Sequence, residues 1–225
     1  MCLLPSLMAA SPAAKAQAGT VAPARAGAAA AAQALGGPRG DPLLGREKAD
    51  AERCVECHGV DGNGAGHSNG PEGKFPKLAG QHPDYILKQI RDFRSGARTH
   101  DQMQIMARSV SDEDVRDIAA YFSSQPILSA QDGKAHARGQ ALYEHGDPAR
   151  GLPACISCHG AQGKGLAGSA LTPVIGGQEW RYLDQQLRNW RSGERRNSPD
   201  GAMSQIGKAL TDADIEALAN YLSGL

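Results

Sequence analysis

A Cys-x-x-Cys-His pentapeptide occurs twice in this chain of 225 residues, and its repetition is the strongest constraint on the fold. The first copy lies in "RCVECHGVDGNGAG", from Arg53, and the second in "ACISCHGAQGKG", from Ala154. A motif that recurs in similar surroundings indicates a duplicated structural unit. The sequence therefore predicts two domains of the same type.

Two longer segments repeat in the same order. "PKLAGQHPDYILKQIRDFRSG" from Pro76 matches "PVIGGQEWRYLDQQLRNWRSG" from Pro173, and "SDEDVRDIAAYF" from Ser111 matches "TDADIEALANYL" from Thr211. Apolar residues three or four positions apart predict an amphipathic helix in each segment. Ser111 and Thr211 have capping-box spacing to an aspartate, and Gly96 and Gly193 stand where helices end. No strand pattern is present, so we predict an all-α protein with a polar loop between the two helices of each repeat.

These boundaries predict residues 1–40 as a signal-like, Ala-rich disordered segment, 41–126 as the first domain, 127–132 as a linker and 133–225 as the second domain. The first residues contain a short apolar run and an Ala-x-Ala site, but they lack the preceding positive charge of a secretory signal. An Ala-rich extension without export is the alternative. Basic and acidic residues balance at 24 each, so we expect no nucleic-acid partner.

Three kinds of site use Cys-x-x-Cys-His. A zinc site needs a second ligand pair within about 20 residues, and a thioredoxin-like dithiol needs a βαβ unit. Neither requirement is met by these repeats. The third kind is covalent haem c, in which both thiols add to the haem vinyl groups and the histidine binds the iron. We therefore predict two haem c groups, attached through Cys54, Cys57, Cys155 and Cys158, with His58 and His159 as iron ligands.

The sixth iron ligand is predicted from the repeat. Met203 is the only methionine after His159, and a Met/His pair is typical of electron-transfer cytochromes; Lys208 is the alternative. In the first repeat, Met103 matches Met203, whereas Met106 matches an isoleucine and is predicted to line the pocket. Both could instead be gap-filling core residues.

Other residues near the predicted haems receive secondary roles. A ligating imidazole usually donates its other N–H to a carbonyl, and Pro76 and Pro173 could supply one. The repeat-matched arginines could pair with haem propionates or form a solvated helix face; they are Arg91, Arg94, Arg188 and Arg191. Three histidines lack counterparts in the second repeat and are predicted to lie on the surface: His67, His82 and His100.

Together, the CxxCH motifs, "FPKLAGQ", "YILKQIRDFRSGART" and "GLPACISCHG" resemble the dihaem cytochrome c4 family over about residues 42–225. The resemblance implies two all-α class I cytochrome c domains with pseudo-two-fold symmetry and haems near their interface. It also implies an exported, periplasmic or membrane-surface electron carrier. Its redox partners would be a quinol-oxidising complex or dehydrogenase as donor and a terminal oxidase as acceptor.

Two other functions compete with this one. A cytochrome subunit of a dehydrogenase complex would have the same haem sites and differ only in its partner. A dihaem peroxidase needs an iron with an open coordination position, which methionine ligands in both repeats argue against. We therefore expect the chain not to be an enzyme.

Overall fold

The computed structural model describes residues 39–64, 75–127 and 136–225. Most of the predicted N-terminal segment, most of the predicted linker and His67 lie outside these ranges. Within them the chain is helical, and the one pairing of extended backbone is an isolated bridge between Asp147 and Leu152. The all-α prediction is confirmed. None of the described helices has the length and apolar character needed to cross a membrane.

The described residues of the first domain, 41–64 and 75–126, form five α-helices. They are α1 (Pro42–Ala51), α2 (Cys54–His58), α3 (Pro83–Ser95), α4 (Asp101–Ser109) and α5 (Asp112–Ser124). Helix α5 packs against α1 and α3, and α4 packs against α3. Their shared core includes Ile86, Leu87, Val115, Ile118 and Phe122, which are the apolar positions that the helical periodicity places on one face.

The second domain repeats this arrangement. Its helices are α6 (Ala137–His145), α7 (Ile156–His159), α8 (Trp180–Ser192), α9 (Ala202–Lys208) and α10 (Asp212–Ser223). Helix α10 packs against α6 and α8, and α9 packs against α8. The core includes Leu142, Tyr143, Leu183, Ile215 and Leu218. The segment from Gly139 to Cys155 is seven residues longer than the matching segment from Gly45 to Cys54, and it contains a short 3-10 turn, Pro148–Arg150.

The predicted helix ends are present. Ser111 Oγ accepts from the backbone N–H of Asp114 at 3.1 Å, and Thr211 Oγ1 accepts from that of Asp214 at 3.2 Å. Gly96 and Gly193 follow α3 and α8 with φ of 79° and 84°, a left-handed conformation that glycine adopts without steric cost.

The polar loop predicted around the methionines is wrong. Met103 lies in α4 and Met203 in α9, so both methionine segments are short helices. A side chain accepts a backbone N–H near each start: His100 Nδ1, from the N-cap of α4, accepts from Met103 N, and Ser198 Oγ, three residues before the Gly201 N-cap of α9, accepts from Met203 N. The prediction failed because these caps do not follow the Ser/Thr/Asp pattern directly before an apolar run.

The four repeat-matched arginines hold helices together. Arg91 and Arg94 contact Asp112 at the start of α5, both at 2.7 Å. Arg188 and Arg191 contact Asp212 at the start of α10, both at 2.6 Å. Each pair therefore has a carboxylate partner within its own domain. The main role of these arginines is to hold helices together, rather than to bind propionates or to form a merely solvated face.

The two domains meet through reciprocal hydrogen bonds. The Gln81 side chain donates to Val174 O and accepts from Val174 N, both at 2.9 Å. Its counterpart Gln178 accepts from Lys77 N at 2.7 Å and donates to Lys77 O at 3.0 Å. Matched residues thus make matched bonds in both directions, as the predicted pseudo-two-fold symmetry requires.

Candidate haem-binding cavity

One cavity of about 1600 Å³, with a mainly apolar lining, extends over both domains at their interface. Helices α3 and α8 both contribute to its lining, with side chains that include Tyr85 and Tyr182. Every residue predicted to attach haem or bind iron lines this cavity: Cys54, Cys57, His58, Met103, Cys155, Cys158, His159 and Met203. The fold therefore brings together the whole predicted set.

The two motif histidines have equivalent environments. His58 and His159 are both 7% exposed. Nδ1 of His58 lies 2.9 Å from Pro76 O, and Nδ1 of His159 lies 3.0 Å from Pro173 O. A carbonyl only accepts, so each Nδ1 carries the proton and each Nε2 keeps its lone pair. Burial lowers the pKa of both imidazoles, against the opposing effect of these bonds, which favours the neutral form that binds metal.

Glycines position the carbonyls that orient these histidines. Gly163 O accepts from the backbone N–H of Ile175 at 2.8 Å and of Gly176 at 3.1 Å, and Gly62 O does the same for the segment after Pro76. After His159, Gly160 has φ of 74°, and a Cβ there would stand 2.1 Å from Gly165 O. The glycine-rich sequences after both histidines therefore let the segment after each proline pack directly against the loop that follows the motif helix.

None of the four motif cysteines forms a disulfide within the described residues. Cys54 and Cys155 are mostly buried, and burial raises the pKa of each to about 11. Burial also raises the pKa of Cys57, with a contribution from the Glu56 carboxylate, whereas Cys158 is exposed. At neutral pH the two buried side chains are thus protonated, and they would form thioether bonds with the vinyl groups of a haem.

Both methionines of the first domain reach the cavity. Met103 and Met106 are half-buried and line it, as does Met203 in the second domain. Lys208, the alternative to Met203, is exposed and lies outside the lining. Burial alone does not separate Met103 from Met106, so the match of Met103 to Met203 still decides between them.

Two buried arginines at the interface were not identified from the sequence. Arg98 is 9% exposed and donates to Gln89 Oε1 at 2.9 Å, and across the interface to Tyr182 Oη at 3.0 Å and Gln186 Oε1 at 2.9 Å. Its guanidinium lies 4.6 Å from the centre of the Phe93 ring. The sequence did contain a signal for these two arginines, because Arg98 and Arg195 occupy matching positions of the repeat, in "SGAR" and "SGER".

Arg195 makes the reciprocal contacts. It is 7% exposed and donates to Tyr85 Oη across the interface at 2.9 Å and to Gln186 Oε1 at 2.8 Å. Its guanidinium lies 4.4 Å from the centre of the Trp190 ring. Burial tends to raise the pKa of Tyr182, but the charges of Arg98 and Arg195 outweigh it and lower that pKa.

The donor set of the cavity fits two haem groups. Each domain offers two thiols, an imidazole with a free Nε2 and a thioether, with apolar walls between them. Arg98 and Arg195 add two buried positive charges that have no carboxylate partner among the described residues. A buried unpaired charge is costly, so anionic groups such as haem propionates suit this part of the cavity.

The prediction for His82 is wrong, and that for His100 holds. His82 is half-buried, and its Nε2 is so close to Gly165 of the second domain that a Cβ on that glycine would stand 2.5 Å away. His82 therefore belongs to the domain interface. His100 is exposed at the edge of the cavity. Sequence could not distinguish the two cases, because the contact with Gly165 joins distant parts of the chain.

Comparison with known proteins assigns both repeats to the same family. The cytochrome c family model matches residues 43–126 and again residues 136–225. Cytochrome c4 of Thiocapsa roseopersicina is 41% identical over 187 residues, which is 83% of this chain and 93% of that protein. The "thiosulfate dehydrogenase electron acceptor" of Stutzerimonas stutzeri (strain A1501) is 37% identical over 179 residues, 78% of this chain and 80% of that protein.

A solved structure shares the whole arrangement. Reduced recombinant cytochrome c4 from Pseudomonas stutzeri superposes with a TM-score of 0.73 at 38% identity, covering 83% of this chain and 99% of that one. Two covalent haem c groups follow from the two family domains and these relatives. The chain belongs to the cytochrome c family as a dihaem member of the cytochrome c4 type, an electron carrier and not an enzyme.

Proposed function

We propose that each repeat attaches its own haem and that the chain carries electrons from a quinol-oxidising complex or a dehydrogenase to a terminal oxidase. Cys54 and Cys57 attach one haem and Cys155 and Cys158 the other. The axial ligands are His58 with Met103 and His159 with Met203. The observation that carries the proposal is the convergence of all eight side chains on one interdomain cavity.

When bound, each haem supplies a one-electron ferric/ferrous couple. The protein holds His58 and His159 in one orientation through Pro76 O and Pro173 O, so that Nε2 faces the cavity. The thioethers of Met103 and Met203 would supply the second iron ligand of each haem and would favour the ferrous state. With a protein ligand on each side of the iron, the site would exchange electrons without binding a substrate.

The buried arginines are proposed to neutralise haem propionates. Each guanidinium lines the cavity and donates to glutamine and tyrosine oxygens, which are neutral acceptors and leave its charge uncompensated. Arg98 reaches Tyr182 of the second domain, and Arg195 reaches Tyr85 of the first. Propionate binding would therefore also join the two haem sites across the interface.

A dehydrogenase is the second candidate donor. It is favoured by the relative named thiosulfate dehydrogenase electron acceptor, which matches 78% of this chain. The proposed location is the periplasm, and we propose peripheral association with the membrane. It is supported by the signal-like N-terminal sequence and by the assembly of covalent haem c proteins outside the cytoplasm.

The donor can be identified with the purified dihaem protein by stopped-flow absorbance. One syringe supplies a thiosulfate dehydrogenase with thiosulfate, and in a parallel experiment membranes with a reduced quinol pool. We expect one donor to reduce both haems far faster than the other, followed by reoxidation on membranes that contain a terminal oxidase. The control is Met203→His. This variant keeps a ligand for the iron of the second haem but lowers the reduction potential of that haem. Failure of both donors, with two haems present, would exclude the proposed route.

A further inference from the structure

We propose that His82 is a pH-sensitive contact between the two domains. Its neutral imidazole packs against Gly165 of the second domain, and protonation of that ring weakens the domain interface. Both residues lie outside the lining of the haem cavity. The inference therefore goes beyond the proposed function and concerns how the two domains are held together.

The imidazole of His82 meets the backbone of the second domain edge-on. A Cβ built on Gly165 would stand 2.5 Å from Nε2 of His82, 3.2 Å from Cε1 and 3.7 Å from Cδ2. Gly165 is held at this place, because its N–H donates to His159 O at 2.7 Å and its φ of 82° is one that glycine adopts without steric cost. The edge of the ring that carries Nε2 therefore faces the Cα of a fixed glycine.

This environment suits only one form of the imidazole. Nε2 of His82 is buried and has no hydrogen-bond partner among the described residues. When the proton is on Nδ1, Nε2 carries a lone pair and needs no acceptor, but the imidazolium carries an N–H on both nitrogens. Protonation would place a donor without an acceptor, and a positive charge, in the buried contact with Gly165, which is unfavourable. The protonated ring is therefore more stable when it has moved away from the second domain.

The charged groups nearby do not remove this penalty. On the described segments around the contact they are Asp84 on α3, Lys77 before His82 and Lys164 beside Gly165. Burial lowers the pKa of His82, and the Asp84 carboxylate opposes this effect without outweighing it. Both lysines carry ammonium groups, which only donate, so neither could accept from a protonated Nε2.

Movement of His82 would act on the hydrogen bonds that join the domains. The backbone N–H of His82 donates to Gln81 Oε1 at 3.1 Å, and the same oxygen accepts from Val174 N across the interface at 2.9 Å. The matching residue of the second domain is Glu179, whose carboxylate accepts from Tyr182 N within its own helix start. The pH-sensitive contact thus belongs to only one of the two matched interdomain bonds.

The direction of the pKa shift fixes the pH range. A histidine whose pKa is lowered by packing contributes its full stabilisation above the pKa of the unpacked ring, about 6.5, and this contribution is lost as pH falls below that value. The same interface encloses the cavity with both candidate haem sites. Mild acid should therefore loosen the arrangement of the two sites before either domain unfolds.

The test is a nitrogen-15 NMR titration of the ferrous dihaem protein. At about pH 7.5 the ring-nitrogen shifts of His82 should show a proton on Nδ1, and the ring should titrate below about pH 6.5. Hydrogen exchange at Val174 N, corrected for the intrinsic rate, reports the interdomain bond. Its protection should fall by up to about tenfold between about pH 6.5 and 5.5, the most that one proton allows per pH unit.

Two variants complete the experiment. His82→Asn removes the titrating ring and keeps a residue that suits the N-cap position of α3, so protection at Val174 should no longer depend on pH. His145→Asn is the matched control, because His145 is an exposed histidine at the end of α6; it should behave like the unaltered protein.

Two results would overturn the inference. One is titration of His82 at or above about pH 6.5, and the other is an equal loss of protection at Val174 in His82→Asn. If His82→Asn does not fold, the ring-nitrogen titration of the unaltered protein decides alone.

Discussion

The two domains share the residues predicted to attach haem and bind iron, and they differ in how the helices around the cavity are held. In both, a buried histidine is oriented by a proline carbonyl, a methionine follows on a short helix and an arginine crosses the interface. The C-terminal helices, by contrast, are anchored differently. Lys48 binds Asp114 and Asp117 in the first domain, whereas Arg138 and Arg150 bind Asp214 in the second.

The difference shows which features the cofactor dictates and which only stabilise the fold. Asp214 is fully buried, whereas the matching Asp114 keeps 35% of its side chain exposed. Arg150 comes from the 3-10 turn of the longer segment in the second domain, so the extra residues supply a cation that the first domain takes from α1. The same helix contact is thus made with different residues, while the residues predicted to attach haem and bind iron remain matched.

Removing an axial methionine should have the largest effect. Met103→Ala and Met203→Ala should each abolish one of two iron–sulfur charge-transfer bands and lower one potential, because the thioether that stabilises ferrous iron is lost. Met106→Ala is the matched control and should keep both bands. Absorbance spectra of the ferric protein with a redox titration measure both properties. Loss of a band in Met106→Ala, with Met103→Ala unaffected, would reverse the ligand assignment in the first domain.

Asp214→Asn should be the most destabilising change away from the haems. It removes a fully buried carboxylate and leaves Arg150 without its main partner, which should cost about 2–4 kcal/mol in the free energy of unfolding. Asp114→Asn should cost clearly less, because that carboxylate is partly exposed. Denaturant unfolding of both variants measures the difference. Equal losses would mean that the two anchors are equivalent.

The same carboxylate makes the second domain sensitive to acid. Burial raises the pKa of Asp214, but hydrogen bonds from Arg150, Thr211 and Arg138 outweigh it and hold that pKa well below its usual range. The stability it contributes is present above the unfolded-state pKa of about 3.9 and is lost as pH falls below about 4. Unfolding measured between about pH 6 and 2 should show a shallower pH dependence for Asp214→Asn than for the unaltered protein. A parallel slope would exclude this role.

The interface arginines should give a smaller and symmetrical effect. Arg98→Gln and Arg195→Gln each remove a positive charge from the cavity, so each should weaken reduction of one haem by about tenfold at most. Arg94→Gln is the control, since Arg94 pairs with Asp112. Redox titrations of the three variants test the comparison. A shift in Arg94→Gln without one in Arg98→Gln would restore the sequence-based assignment of propionate binding.

The sequence was sufficient to predict those features for which a motif of known chemistry occurs in both repeats. The spacing of the motif predicted haem, the capping boxes predicted α5 and α10, and the cofactor count follows from the duplication. It failed where contacts join distant segments. The contact of His82 with Gly165, the reach of Arg98 to Tyr182 and the pairing of Arg91 with Asp112 depend on how the domains and helices pack, which local patterns do not encode.

Mass spectrometry of the purified protein, expressed in a host that attaches haem c, tests the central claim most directly. After denaturation and acid–acetone extraction, the intact chain should retain the mass of two haems. Proteolysis should give one haem peptide containing Cys54 and Cys57 and another containing Cys155 and Cys158. A chain without covalent haem, or one in which a single motif carries haem, would contradict the claim that each repeat holds its own redox centre.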